Sequence, residues 1–208
     1  MTMPVNSCVP GPELVGHIVE LARLEWTSGA TAAAAERFGW VPDGSRLSSY
    51  ATTTGHHVLP EWFGGPGDAD TECMIPFCYF YEPDDFDAEL QADGLSGNVD
   101  WLAGYYSGEP GWVFDREAGR SAFDGRWRAA VDAFGERLGE PETVVRDEKG
   151  DHPWNYAAWR CGGNAVVVGQ CVDNGSYMTF EQALIWVGPQ PSDEPFPTGE
   201  QFALRLEC

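Results

Sequence analysis

The chain has 208 residues, with 33 acidic side chains against 12 basic ones and a formal charge of −21 at neutral pH. At 43% hydrophobic and 13% aromatic it carries enough apolar material for a folded core. So acidic a surface repels nucleic acid and anionic membranes, and no stretch approaches the ~18 apolar residues of a membrane span.

The start, Met1-Thr2-Met3-Pro4-Val5-Asn6-Ser7-Cys8, has neither a basic segment nor an apolar run. No signal peptide is expected, and the reading is cytoplasmic. Residues 1–11 read as a flexible lead-in. A first helix is expected from Pro12 to about Trp26, because Pro suits the first helical position and Leu14, Ile18, Leu21 and Ala22 share one face. Thr27 or Ser28 could cap a second helix over 31–38, ended by Gly39. Trp40-Val41-Pro42-Asp43-Gly44 reads as a turn, followed by strands over 47–54 and 72–81. Glu82-Pro83-Asp84-Asp85 opens an acidic stretch leading into a short helix over 86–92. The clearest helix covers about 121–138, where Phe123, Trp127, Val131, Phe134 and Leu138 recur at spacings of three and four.

After that helix a β-meander is expected over 143–146, 155–160, 165–172 and 178–187, with turns at Asp147–Gly150, Gly162–Asn164 and Asp173–Gly175. Residues 188–199 read as a Pro-rich linker and 202–206 as an edge strand. The order helix, Gly, turn and strands thus occurs twice, with little residue identity between the copies. The fold class expected is mixed α+β: antiparallel meanders with packed helices, in two similar halves over 12–115 and 116–208 that share or abut one sheet.

Chemical signatures are sparse. Lys149 is the only lysine, which removes both a phosphate-binding Gly-rich loop and a credible Schiff-base enzyme. The six cysteines at 8, 73, 78, 161, 171 and 208 form no Cys-x-x-Cys pair and have no nearby histidine, so buried reduced thiols are expected rather than metal knuckles or disulfides. Gly94-Leu95-Ser96-Gly97-Asn98 lacks the last glycine of a nucleophile elbow. His56-His57 is the one histidine doublet, and in an extended chain its rings point apart. No catalytic residue, cofactor or metal ligand is assigned. A metal-dependent hydrolase built on His56, His57 and nearby carboxylates remains the alternative from another class, with an acidic scaffold lacking a tight partner as a third.

Charge is distributed unevenly. Between Arg46 and Arg116 there is no Lys or Arg, while positions 47–115 hold 13 Asp or Glu residues and many aromatics. This suits a recognition surface for a basic protein: acids steer the partner in, and aromatic side chains supply burial energy. The expected contact residues are the acids Asp68, Asp70, Glu72, Asp84, Asp85 and Asp87, with Trp101, Tyr105, Tyr106 and Trp112 as anchors.

Several stretches carry a family likeness: Glu36-Arg37-Phe38-Gly39-Trp40, Phe134-Gly135-Glu136-Arg137-Leu138-Gly139-Glu140-Pro141, Trp159-Arg160-Cys161-Gly162-Gly163-Asn164 and Ile185-Trp186-Val187. In these the chain resembles small acidic actinobacterial immunity proteins that partner polymorphic toxins. The resemblance implies binding without catalysis, with a toxin domain as the basic partner, and it supplies no functional residue.

Overall fold

A computed structural model describes residues 3–26, 29–43, 49–60, 72–83, 89, 97–146, 154–198, 202 and 205–206. The fold is α+β. Among the described residues ten strands run β1 (Val5–Ser7), β2 (Val41–Asp43), β3 (Ser49–Ala51), β4 (His57–Pro60), β5 (Cys73–Phe80), β6 (Val113–Asp115), β7 (Thr143–Arg146), β8 (Asn155–Cys161), β9 (Asn164–Val172) and β10 (Glu181–Pro189). The helices are α1 (Pro12–Ala22), α2 (Ala30–Arg37), α3 (Asn98–Gly104) and α4 (Arg120–Leu138).

Eight of these strands form an antiparallel sheet in the order β2-β3-β4-β5-β10-β9-β8-β7, and β1 and β6 join it off this path, β1 pairing with β5 and β6 with β1. The two meanders therefore meet at its centre, where Glu181 pairs with Phe80 and Val187 with Cys73. A bulge between Ala183 and Leu184 shifts that register, so Phe77 and Cys78 both face the helices while Tyr79 returns to the opposite face. On one face α1, α2 and α4 bury Leu14, Ile18, Trp127 and Phe134 against Ile75, Val168 and Ile185. The other face has two separate covers. Phe196, Phe202 and Leu206 cover Met74, Tyr156 and Trp186, whereas α3 and the segment after it cover Tyr79 and Tyr81.

Several elements depart from expectation. Val5–Ser7 is not a flexible lead-in but a buried strand between β5 and β6, tied down by the Asn6 amide donating to Leu102 O at 3.1 Å and to Tyr105 O. Helix α1 stops at Ala22 because its last carbonyls find side-chain donors: Trp26 Nε1 bonds Leu21 O at 2.9 Å, and Asn164 Nδ2 bonds Ala22 O at 3.0 Å. Gly29, not Thr27 or Ser28, stands at the N-cap of α2. Val41–Asp43, read as part of a turn, pairs as a strand with β3, which ends at Ala51, before the expected Thr54. At the end of the chain, Phe202, Arg205 and Leu206 are helical, not an edge strand; Phe202 and Leu206, four residues apart, can then both face the sheet. Gly169 makes room for Leu206 beside Tyr156, since a Cβ there would lie 2.2 Å from Leu206 Cδ1 and 2.8 Å from Tyr156 Cδ1. Of the expected short helix over 86–92 the structure describes Glu89 alone, which is helical; the turn at 147–150 lies outside the described residues.

Candidate protein-binding face

At the end of the sheet where β1, β5 and β6 meet, α3 and residues 105–112 build an aromatic corner. Tyr106 and Trp112 stack at 4.1 Å with planes 14° apart, and Tyr79 lies 5.8 Å from Tyr106 and 6.0 Å from Trp112. Trp112 Nε1 donates to Gly55 O at 2.7 Å, anchoring the corner to the turn before β4. Tyr105 sits edge-on to Tyr79 and to Trp101, and Trp101 tilts over Phe180 at 5.0 Å. Tyr81 also packs on Phe180, and its hydroxyl accepts from Asn98 Nδ2 at 3.0 Å.

The structure thus gathers the four expected anchors but gives them different roles. Trp101 is 42% exposed. Tyr105 and Trp112 are half-buried in the cluster. Tyr106 is buried, so it supports the corner and cannot reach a partner without repacking. Glu72 does not belong with them: it accepts from Trp186 Nε1 at 2.8 Å, at the opposite end of β5, which at ~3.3 Å per residue separates it from Tyr81 by roughly 30 Å. Asp68, Asp70, Asp84, Asp85 and Asp87 lie outside the described residues. Exposed carboxylates that do border the corner include Glu82, next to Tyr81, and Asp100, next to Trp101 and bonded by Arg116 at 3.2 Å.

Backbone strain concentrates at the same corner. The non-glycine residues with positive φ among the described ones are Tyr106 (58°), Tyr177 (56°) and Met178 (63°). Each such conformation costs about 1–3 kcal/mol and persists only where surrounding contacts enforce it. Tyr177 and Met178 belong to the β9–β10 connection, just before Phe180. Met178, expected to open a strand, lies before β10, which begins at Glu181, because the carbonyl of Asp173 draws the chain into a short 3-10 turn by accepting from Ser176 N (3.2 Å) and Met178 N (3.0 Å). Only the Asp-Asn-Gly turn signal hinted at this loop in the sequence. Asp173 is buried there; its Oδ1 accepts from Gly175 N at 3.1 Å, while Oδ2 has no hydrogen-bond partner among the described residues. Burial raises its carboxyl above the ordinary value, partly offset by hydrogen bonds from Ser176 and Gly175. Burial likewise lifts the Tyr79 phenol well above its ordinary value.

The histidine doublet is structural in its contacts. His56 Nε2 lies 2.7 Å from Cys8 O, which can only accept, so Nε2 carries the proton and Nδ1 accepts from Thr54 Oγ1 at 3.0 Å. Burial pushes the His56 pKa down, partly opposed by its hydrogen bonds to Cys8 and Thr54. His57 is buried against Tyr106, with Nδ1 3.4 Å from Asp43 and Nε2 3.7 Å from Glu109. Among the described residues no group of three or more His, Cys, Asp or Glu side chains is placed to hold a metal ion. Cys8, Cys73, Cys78, Cys161 and Cys171 are buried and unbridged, and burial raises the Cys8 thiol to about 11, far from a nucleophilic thiolate at neutral pH. No helix of the described residues is long and apolar enough to cross a membrane.

No family model matches the chain, and no curated protein or solved structure matches it.

Proposed function

We propose that the chain is a non-enzymatic, immunity-type binding protein that acts in the cytoplasm and neutralises a basic protein toxin by covering its cationic surface. The observation that carries this reading is Trp101: an exposed indole on a tightly packed aromatic corner, beside Asp100, in a third of the chain that has 13 acids and no cation. A rigid aromatic surface with an acidic rim suits a cationic partner, the acids acting on approach and the indole on burial. Asp84, Asp85 and Asp87 lie in sequence between Tyr81 and Asn98, whose side chains are bonded to each other; both ends of that acidic stretch are therefore fixed at this corner. The family likeness noted above favours a toxin domain over other basic proteins.

The test is retention of a protein from native lysate at ~50 mM salt and again near ~500 mM, followed by association kinetics with the purified partner. A stoichiometric basic protein whose binding weakens with salt is expected. Reversing the charges of Asp84, Asp85 and Asp87 should slow association and flatten its salt dependence. If no basic protein binds, the acidity serves only as a solvated surface, and the binding reading is wrong.

A further inference from the structure

The connection between β9 and β10 presents two large side chains outward from a backbone conformation such residues rarely adopt. Tyr177 is 92% exposed and Met178 is 62% exposed, and both have positive φ. No side-chain burial compensates for that conformation. The loop below them is nevertheless fully organised. Ser176 is buried, its Oγ donating to Asp173 O at 2.9 Å and accepting from Phe180 N at 3.1 Å. Asp173 N bonds Phe180 O at 2.8 Å, Tyr177 N bonds Asn174 O at 3.0 Å and Thr179 N bonds Ser176 O at 3.2 Å. An ordered base that holds a tyrosine and a methionine in water stabilises no core of its own. Strain of this kind at an exposed position is what a preorganised binding loop carries, because ordering the anchor beforehand lowers the entropy lost on association.

We infer that the Tyr177–Met178 loop is the second anchor of the partner face, engaging the same basic protein as Trp101. The inference rests on the binding function proposed above and specifies its surface. Continuity supports it: the loop runs directly into Phe180, which Trp101 and Tyr81 pack against. Charge selects the occupant. Glu82, Asp100, Asp115 and Glu117 are exposed on the elements around this corner, against Arg116. A second copy of a chain of charge −21 would be repelled there, whereas a cationic surface would be drawn in. Tyrosine and methionine suit such a contact, one as a rigid amphipathic anchor and the other as an adaptable apolar one.

The decisive variant is Tyr177→Gly, because glycine adopts the left-handed conformation freely. It removes the anchor while relieving the backbone, so it should fold at least as well as the parent. The basic protein retained from lysate at low salt, once purified, serves as the probe; its Kd is measured against the parent chain, Tyr177→Gly, Met178→Gly, Trp101→Ala and a distant exposed control, Val144→Ala. Tyr177→Gly is expected to weaken binding about 30-fold, the effect of losing a dominant anchor, with its Tm unchanged or raised; Trp101→Ala should weaken binding similarly and Val144→Ala should not. Binding within twofold of the parent for both Tyr177→Gly and Met178→Gly, with Trp101→Ala still defective, overturns the loop assignment and leaves the binding function standing. If no basic protein is retained at all, the function itself fails and the loop assignment with it.

Discussion

Trp112 and Gly55 meet at a single hydrogen bond, 2.7 Å from the indole Nε1 to the glycine carbonyl, and through it the aromatic corner is fastened to the turn leading into β4. The stacked face of the same indole holds Tyr106. One side chain thus links the 105–112 segment both to its own cluster and to the other end of the chain's first meander.

Replacing Trp112 with alanine should lower stability by about 3 kcal/mol, combining the lost stack, the vacated volume and an unpaired carbonyl. Trp112→Phe keeps most of the stack and loses only the hydrogen bond, so about 1 kcal/mol is expected. Urea denaturation of the three proteins measures both values. Equal losses for the two variants would mean that the hydrogen bond, not the stack, dominates.

Gly55 has no freedom to change. Its φ is +81°, and a Cβ would lie 2.0 Å from the carbonyl oxygen of Pro110. The obstacle is backbone, which cannot rotate aside. Gly55→Ala should therefore cost about 3 kcal/mol or more, visible as a large fall in the calorimetric Tm. A small change would show that residues 105–112 can shift away from the turn without loss.

Much of the fold was legible because its signals are local. The five-residue stripe from Phe123 to Leu138 and the Gly–Pro stop after it give α4 to within one residue, and the apolar run 165–172, bounded by the turn signals at Gly162–Asn164 and Asp173–Gly175, gives β9 to within one residue. What could not be read depended on distant partners. Val5–Ser7 is too short to show periodicity and becomes a strand only because β5 and β6 flank it. Trp26 ends α1 by folding back on Leu21, a contact no helix propensity encodes. For the candidate site, the sequence located the aromatics but not their exposure. Tyr106 and Trp101 look alike in sequence; packing buries one under Trp112 and leaves the other over Phe180. The exposure of Tyr177 is not encoded locally, because solvent exposure in a β-hairpin connection is set by which way the turn closes.

Stability should respond to pH with opposite signs at two buried groups. His56 has a folded pKa below its ordinary 6.5, chiefly because burial disfavours the charged ring. The unfolded chain then binds a proton more readily than the native one, so His56 contributes stability that is full above about 6.5 and is lost as pH falls below it. Asp173 behaves inversely. Its folded pKa lies above the ordinary 3.8 through burial, so the native state holds its proton longer and stability declines as pH rises past 3.8 towards the folded value. Each group can contribute at most about 1.4 kcal/mol per pH unit within its window. Denaturation curves for the parent and for His56→Gln, taken from pH 5 to 7, should show the stability difference between them growing with pH. The same comparison for Asp173→Asn, starting at pH 3.5, should show the variant gaining on the parent as pH rises. Parallel curves for His56→Gln would mean that the native ring takes up its proton as the unfolded chain does, so that below about 6.5 the hydrogen bond from Nε2 to Cys8 would coexist with a protonated Nδ1 that Thr54 could not donate to.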